Sequence, residues 1–361
     1  MRIVVSVSND ISTDQRLHRI CSSLANSNYE VLLLGRKLKN SPQLPKFSFK
    51  TKRFKLLFNK GPAFYACLNI RLFGFLLFAK SDIFLSNDLD TLPANYLAAK
   101  LRRKKLVYDS HELFTEVPEL HNRPRVKRIW EKIEKLFLPK LKNSYTVCQS
   151  IANYYSKKYS IKMQVIRNVP TQKTISTNFE NRDKTLIYQG VLNKGRGLEW
   201  LIEAMSFLKD YNLKIAGTGD IESELIELTQ KLKLQNVEFL GRILPKNLHK
   251  ITETAILGFS LEEDLGLNYR YALPNKIFDY VQAGVPVFTS NLIEMSKLVN
   301  QYNIGKSQNF NSPEELSKII LETLSQTNEL HQYHENCVKA AAELNWEKEG
   351  SILRGVFENL K

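Results

Sequence analysis

The sequence predicts an α/β chain built as two doubly wound, parallel-sheet domains. Three observations carry this. Strand and helix signals alternate from the first residues onward; the alternation breaks in a polar stretch near the middle and then restarts; and 361 residues are about twice a typical domain. The strand-like runs are short, β-branched and seldom alternate in polarity, as strands covered on both faces do.

In chain order, RIVVSVS (2–8), EVLLLGR (30–36), DIFLSND (82–88), KLVYDSH (105–111), YTVCQS (145–150) and QVIRNV (164–169) read as strands, with helical patterns such as TDQRLHRICSSLANS (13–27) and TLPANYLAAKLRRK (91–104) between them. The segment AFYACLNIRLFGFLLFAK (63–80) is very apolar, but Arg71 in its middle leaves it short of a membrane span. It is expected to be a buried helix between two strands, with a face lying on a membrane as the alternative. The polar stretch PTQKTISTNFENRDK (170–184) reads as a linker. TLIYQG, NLKIAGTG, VEFLGR, AILGFSL and VPVFTS then follow as strands, with helices expected near 197–208, 220–233, 246–254 and 276–283. NWEKEGSILRGVFENLK (345–361) is amphipathic and is expected to return to the first domain. The expected organisation is therefore two Rossmann-like domains, 1–169 and 185–343, with a linker at 170–184 and a returning helix at 344–361, facing each other across a cleft.

Charge separates the halves. Of the net +15, residues 1–170 carry +19 and the remainder −4. The densest basic runs are KLRRKKL (100–106) and RPRVKRIWEKIEK (123–135). Such asymmetry points to an anionic partner for the first half, a nucleic acid or an acidic membrane surface, or to a solvated basic face. No helix-turn-helix, zinc finger or aromatic RNA-binding motif supports nucleic acid. The four cysteines, Cys21, Cys67, Cys148 and Cys337, are scattered with no CxxC pair and no nearby His cluster, which suits a reducing cytosol and argues against a disulfide framework or zinc site. The opening apolar run is too short for a signal peptide, so a cytoplasmic location is expected.

Ligands of open parallel sheets bind beyond the carboxyl ends of the strands, so the chemistry is expected in post-strand segments. In YQGVLNKGRGLEWLIEAM (188–205), glycines, a helix start and the cations Lys194 and Arg196 are the elements of a phosphate cradle, although a solvated loop has the same composition. AGTGDIE (216–222) fits a tight turn equally well. In LPNKIFDYVQAGVPVFTS (273–290), Pro274 and Asn275 suit a helix start, and Lys276 and Asp279 share a helical face. A lysine on a diphosphate and a carboxylate on a ribose diol need that separation; a carboxylate in a first helical turn is also favourable by itself.

The stretch NVEFLGRILPKNLHKITETAILGFSLEED…LPNKIFDYVQAGVPVFTS resembles the nucleotide-sugar domain of family 4 glycosyltransferases with the GT-B fold. GVLNKGRGLEWLIEA is similar to that family's GRLxxxKGxxxLIEA, and NDLDTLPANYLAAKLRRKKLVYDSHELF resembles a bacterial subgroup marked by YDSHE. By this resemblance Arg196 stands at the diphosphate-binding lysine, with Lys194 a neighbouring candidate. Asp279 stands at the glutamate that binds the nucleotide ribose, and Lys276 or Asn275 would face the phosphates or sugar. Gly241 and Arg242 would flank the base, and His111 would contact the donor sugar, unless it is a hydrogen-bonded structural histidine beside Glu112. His111, Arg196 and Lys276 are thus the catalytic candidates, and Lys194, Gly241, Arg242, Asn275 and Asp279 the donor-binding ones.

The chain also departs from the family. Eight residues before Asp279 stands Tyr271, where the family has a second acid. Glu262, Glu263 and Asp264 lie in a longer upstream loop, any of them a candidate to approach the sugar. Val191 replaces an arginine, and SNDISTDQR follows the first strand in place of a Gly-Gly loop. DLD (88–90) has the form of a metal-binding pair in the other transferase fold; a loop or acceptor role is preferred, and no metal or cofactor is expected.

The resemblance implies a retaining hexosyl transfer from a nucleoside-diphosphate sugar, of UDP or GDP type, to a saccharide or lipid-linked acceptor held by the first domain. It implies a place in bacterial cell-surface glycan assembly, peripheral on the inner face of the cytoplasmic membrane. The alternatives are a nucleotide-sugar epimerase of the same fold and a basic protein that binds an anionic polymer.

Overall fold

The computed structural model describes residues 1–12, 14–175, 179–180 and 182–360; the expected linker at 170–184 falls partly outside them. The chain divides into two compact units, Met1–Asn168 with Glu349–Lys361, and Val169–Lys348.

The first unit holds β1 (Arg2–Ser6), β2 (Glu30–Arg36), β3 (Lys50–Phe54), β4 (Ile83–Asn87), β5 (Lys105–Ser110), β6 (Ser144–Thr146) and β7 (Gln164–Val165). They form one parallel sheet in the order β3-β2-β1-β4-β5-β6-β7. The strand order reverses between β1 and β4, where Ile3 lies opposite Ile83 and Ser6 opposite Ser86. β4 is buried at every position, which explains its uninterrupted apolar signal. β3 gives no such signal. It is an edge strand, KTKRF, in which only Phe54 is buried, so it presents charge along most of its length. The strand expected over 145–150 stops at Thr146, because Cys148 is already the N-cap of the helix Gln149–Tyr159.

The apolar segment near 63–80 forms the helix Gly61–Phe78, but the buried helix expected of it is found along one stripe only. Phe64, Leu68, Leu72 and Leu76 are buried, and the remaining faces are open or half-open. The closing helix, Trp346–Glu358, joins the first unit through Glu349, which accepts from the Arg167 backbone N–H at 2.9 Å and from its guanidinium Nε at 2.6 Å. Phe357 meets Tyr29 edge-on with ring centroids 6.3 Å apart.

The second unit holds β8 (Thr185–Gln189), β9 (Asn212–Ala216), β10 (Val237–Gly241), β11 (Leu257–Ser260), β12 (Val287–Thr289) and β13 (Gly305–Ser307). All pair in parallel, in the order β10-β9-β8-β11-β12-β13, and the order reverses between β8 and β11. Its core packs Leu186, Tyr188, Ile215, Leu257 and Phe259 of the sheet against Leu198, Leu201 and Ile202 of the helix Leu198–Ala204. β13 was not visible in the sequence, since three residues reading Gly-Lys-Ser hold too little apolar pattern.

Candidate functional site

The second sheet's reversal point is pinned by one side chain. Tyr280, fully buried on the helix Asn275–Val281, accepts the backbone N–H of Gln189 at 3.1 Å and donates to the Phe259 carbonyl at 3.0 Å. It thereby ties the end of β8 to β11. Its ring occupies the space where Gly258 has no side chain: a Cβ there would lie 2.7 Å from the ring. This brings three post-strand segments together, as expected where a parallel sheet changes direction.

At that point Glu262, two residues beyond β11, is buried and gathers two cations. Lys276 Nζ lies 2.8 Å and Arg196 Nη1 3.1 Å from Glu262 Oε1, and Ser260 Oγ donates to Oε2 at 2.6 Å. Lys276 also sits over the Tyr188 ring, Nζ 4.2 Å from its centroid, a favourable cation–π contact. Burial pushes the Glu262 carboxyl upward, but the Lys276 and Arg196 charges and the two donated hydrogen bonds outweigh it and hold the pKa below the usual carboxylate value. Burial pulls Arg196 down, and Glu262 more than restores it. The group is therefore a carboxylate with two fixed cations and a net charge of about +1.

Asp279 lies one turn beyond Lys276 and accepts from Gln189 Nε2 at 3.1 Å; the other end of that amide accepts from Thr252 Oγ1 at 2.7 Å. Tyr188, Gln189, Gly190, Val191, Arg196, Leu248, Pro274, Asn275, Lys276 and Asp279 line a cavity of about 350 Å³, within the range of small-ligand sites. Gly190, with φ +141°, lets the backbone approach the lysine, because a Cβ there would stand 3.3 Å from Lys276 Cε.

Four of the residues selected from sequence, Arg196, Asn275, Lys276 and Asp279, thus meet around one cavity. The chain enters the helix a residue earlier than a capping Asn275 would imply: Pro274 is the N-cap, without a side-chain cap bond, and Asn275 is the first helical residue and exposed. Lys194, Gly241 and Arg242 do not line the cavity. Lys194 is exposed and its carbonyl accepts from the Tyr269 hydroxyl; Gly241 ends β10 with φ +61°; Arg242 is exposed. Val191, standing where the family has an arginine, lines the cavity and is 54% exposed.

Of the three acids left open, Glu262 joins the cations. Glu263 accepts the Gly197 backbone N–H, with burial and then the nearby Glu199 pushing its carboxyl up, and Asp264 pairs with Arg270 at 2.9 Å on the surface. Sequence reasoning missed Gln189, Ser260, Tyr188 and Tyr280. The rule that residues just after strands bind ligands points to Gln189 and Glu262; nothing in the sequence points to Tyr280.

His111 lies in the first unit, at the end of β5 and beside the first sheet's reversal point. Its Nδ1 is 3.3 Å from Asp88 Oδ2 and its Nε2 3.0 Å from Asp109 Oδ2, while its backbone N–H donates to Asp88 Oδ1 at 3.0 Å. Both ring nitrogens thus face carboxylates, Asp88 and Asp109, the arrangement of a hydrogen-bonded structural histidine. Burial works against the imidazolium, but Asp88 and Asp109 prevail and raise its pKa to about 9. Asp109 also takes the buried Arg16 guanidinium in two hydrogen bonds, 2.9 and 3.2 Å, and these cations hold it at about 2 against the upward push of burial. Asp90 is raised to about 7 by burial and by Asp88, and bonds Ser8. Among the described residues, its Oδ1 and the Asn87 amide are buried without a protein partner.

The family model described as glycosyl transferases group 1 matches residues 171–342, and that described as glycosyltransferase family 4 matches residues 14–171. Among curated proteins the sequence finds no match. Solved structures share the fold over the whole chain. Sucrose-phosphate synthase from Thermosynechococcus elongatus superposes with a TM-score of 0.81 at 16% identity, covering 100% of this chain and 99% of that one. HepE from Anabaena in complex with UDP-glucose gives 0.74 at 15% identity, covering 100% and 99%. WaaG, a glycosyltransferase involved in lipopolysaccharide biosynthesis, gives 0.68 at 16% identity, covering 98% and 100%. With one family model following the other along two parallel sheets of this topology, the chain belongs to the family 4-like glycosyltransferases of the GT-B fold.

Proposed function

We propose that the protein transfers a hexose, with retention of anomeric configuration, from a nucleoside-diphosphate sugar of UDP or GDP type to a saccharide or lipid-linked acceptor in cell-surface glycan assembly. The observation that carries this reading is the convergence of Arg196 and Lys276 on buried Glu262, at the edge of a cavity that Gln189, Asn275 and Asp279 also line. Two cations held by one carboxylate leave positive charge for a diphosphate, and a wall without a side chain at Gly190 lets it come close. Asp279 accepts hydrogen bonds from the ribose diol, and Asn275 faces the phosphates or sugar. A fold shared with a UDP-glucose complex supports the same use of the cavity. Outside that lining, Gly241 and Arg242 flank the base, and Lys194 is a neighbouring cation for the diphosphate.

In this reading the fixed cations stabilise charge as it develops on the leaving diphosphate, without having to reorganise. The departing phosphate takes the acceptor proton on the face it leaves, so no protein nucleophile is needed, and orientation supplies much of the remaining rate. The first unit holds the acceptor: Asp90 Oδ1 and the Asn87 amide are groups an acceptor hydroxyl satisfies. His111, an imidazolium whose two ring N–H groups are taken by Asp88 and Asp109, serves as a positioned positive charge facing the sugar. The basic first unit places the enzyme on the cytoplasmic face of an anionic membrane.

The test follows nucleoside diphosphate release from a panel of UDP- and GDP-sugars, with and without saccharide and lipid-linked acceptors, and reads the product's anomeric coupling by NMR. Acceptor-dependent release with the donor's configuration preserved supports the proposal. Inverted configuration overturns retention, and conversion of the donor without acceptor overturns transfer in favour of epimerisation. Lys276→Met is expected to lower kcat/KM by about 10²–10³, the loss typical of one transition-state electrostatic contact.

A further inference from the structure

The outward face of the helix Gly61–Phe78 is apolar where a surface helix is normally polar. Opposite its buried stripe, Ile70 and Phe78 are 73% and 87% exposed. The helix Leu92–Arg102 lies alongside. The Ala94 N–H donates to Asn69 Oδ1 at 3.1 Å, and Arg102 donates to the Leu76 and Ala79 carbonyls, both at 2.7 Å. These bonds set the two helices side by side in the same direction, and they bring Leu101, 68% exposed, to the end where Phe78 stands.

The charge around these side chains is mostly positive, with Asp82, paired with Lys104 at 3.6 Å, as a carboxylate at the Phe78 end. Residues 31–81 contain eleven Lys and Arg and no Asp or Glu, and residues 91–106 five and none. Arg71, Lys80, Lys100 and Arg103 are exposed on or beside the two helices, and neither helix carries a carboxylate to neutralise them. Exposed large apolar side chains ringed by an excess of cations match a lipid surface with anionic headgroups: apolar groups enter the headgroup–acyl boundary and cations meet phosphates. A second copy of the same face would bring like charges together, and a nucleic acid backbone has no use for the apolar rim.

We propose that the face formed by the helices Gly61–Phe78 and Leu92–Arg102 docks on an anionic bilayer, with Ile70, Phe78 and Leu101 inserted and the surrounding lysines and arginines on lipid phosphates. This rests on the reading above that the basic first unit faces a membrane, and adds which face does so and that insertion is part of the binding.

The experiment is co-sedimentation of the full chain with phosphatidylcholine vesicles with and without phosphatidylglycerol, comparing the native protein with Phe78→Glu/Leu101→Glu and with Lys80→Glu/Arg103→Glu. Nucleotide-induced thermal stabilisation checks that each variant is folded, and gel filtration checks its association state. The expected result is that the native chain binds vesicles containing phosphatidylglycerol and not pure phosphatidylcholine, and that each double variant partitions at least about tenfold more weakly with nucleotide binding intact. Undiminished binding of Phe78→Glu/Leu101→Glu overturns the proposed face while leaving membrane association standing. Absence of native binding to either vesicle overturns both. Self-association removed by Phe78→Glu/Leu101→Glu assigns the face to a second copy and overturns the proposal as well.

Discussion

Glu262 decides the electrostatics of the second unit's cavity. It is buried and accepts from Lys276, Arg196 and Ser260, so removing its charge strands Lys276, itself 7% exposed, without a counter-ion. Glu262→Gln is expected to lower stability by about 3 kcal/mol, the cost of breaking a buried pair from one side. Adding Lys276→Met should recover about 1 kcal/mol or more of that, because the two changes are coupled; additive losses in urea melts of the cycle would contradict it. His111 makes a prediction of opposite kind. Its folded pKa is raised to about 9, so the stability it contributes is complete below its ordinary value of 6.5 and is lost as pH rises through 9. Asp90, raised to about 7 from 3.8, weakens the fold as pH climbs through a lower window. Denaturation midpoints between pH 7 and pH 9.5 should therefore fall more steeply in the native protein than in His111→Gln, where Asp90 still titrates and the ring no longer does. An equal fall in both would show that the two aspartates do not hold a charged ring.

At the level of elements, the second unit's strands β8 to β12 were legible from their short apolar, β-branched runs, including β10, none of whose residues is buried. β8, β9 and β11 are hydrophobic enough to be read directly, and the Pro274-to-Gly284 span marks both ends of the helix Asn275–Val281. The edge strand β3 and the three-residue β13 were not legible, because pairing with a neighbouring strand defines them and apolar content does not. Within the site, Arg196, Lys276 and Asp279 could be found from spacing and resemblance. That both cations share Glu262 could not, since fourteen residues and a whole loop separate Glu262 from Lys276. The glycines divide in the same way. A Cβ on Gly217 would stand 1.8 Å from the Gly190 carbonyl oxygen, whereas at Gly241, with φ +61°, it would meet nothing within 4 Å. Gly217→Ala should thus cost about 3 kcal/mol or more, and Gly241→Ala only the left-handed penalty of about 1 kcal/mol. Thermal melts of the two variants compare them directly, and equal losses would contradict the close contact.

Across the whole molecule, charge and chain path separate the two units. The +19 of residues 1–170 is a property of composition and was readable at once; the apolar rim that accompanies it emerged only with the packing of the helix Gly61–Phe78. The chain's end belongs to the first unit, where Glu349 satisfies both the backbone and the guanidinium of Arg167. Deleting residues 349–361 leaves those donors unpaired and Tyr29 without Phe357, and is expected to lower the melting temperature of the first unit; an unchanged melt would contradict that role. The central claim, that the second unit's cavity binds a nucleoside diphosphate through Arg196, Lys276 and Asp279, is tested most directly by thermal stabilisation of the native chain and of Asp279→Ala with UDP, GDP, ADP and dTDP. A nucleotide at a hundred times its Kd adds about 2.7 kcal/mol to a fold that alone binds it. The expected result is a melting shift corresponding to that stabilisation for UDP or GDP in the native chain, lost in Asp279→Ala. No shift with any of the four, or a shift that survives the substitution, would contradict it.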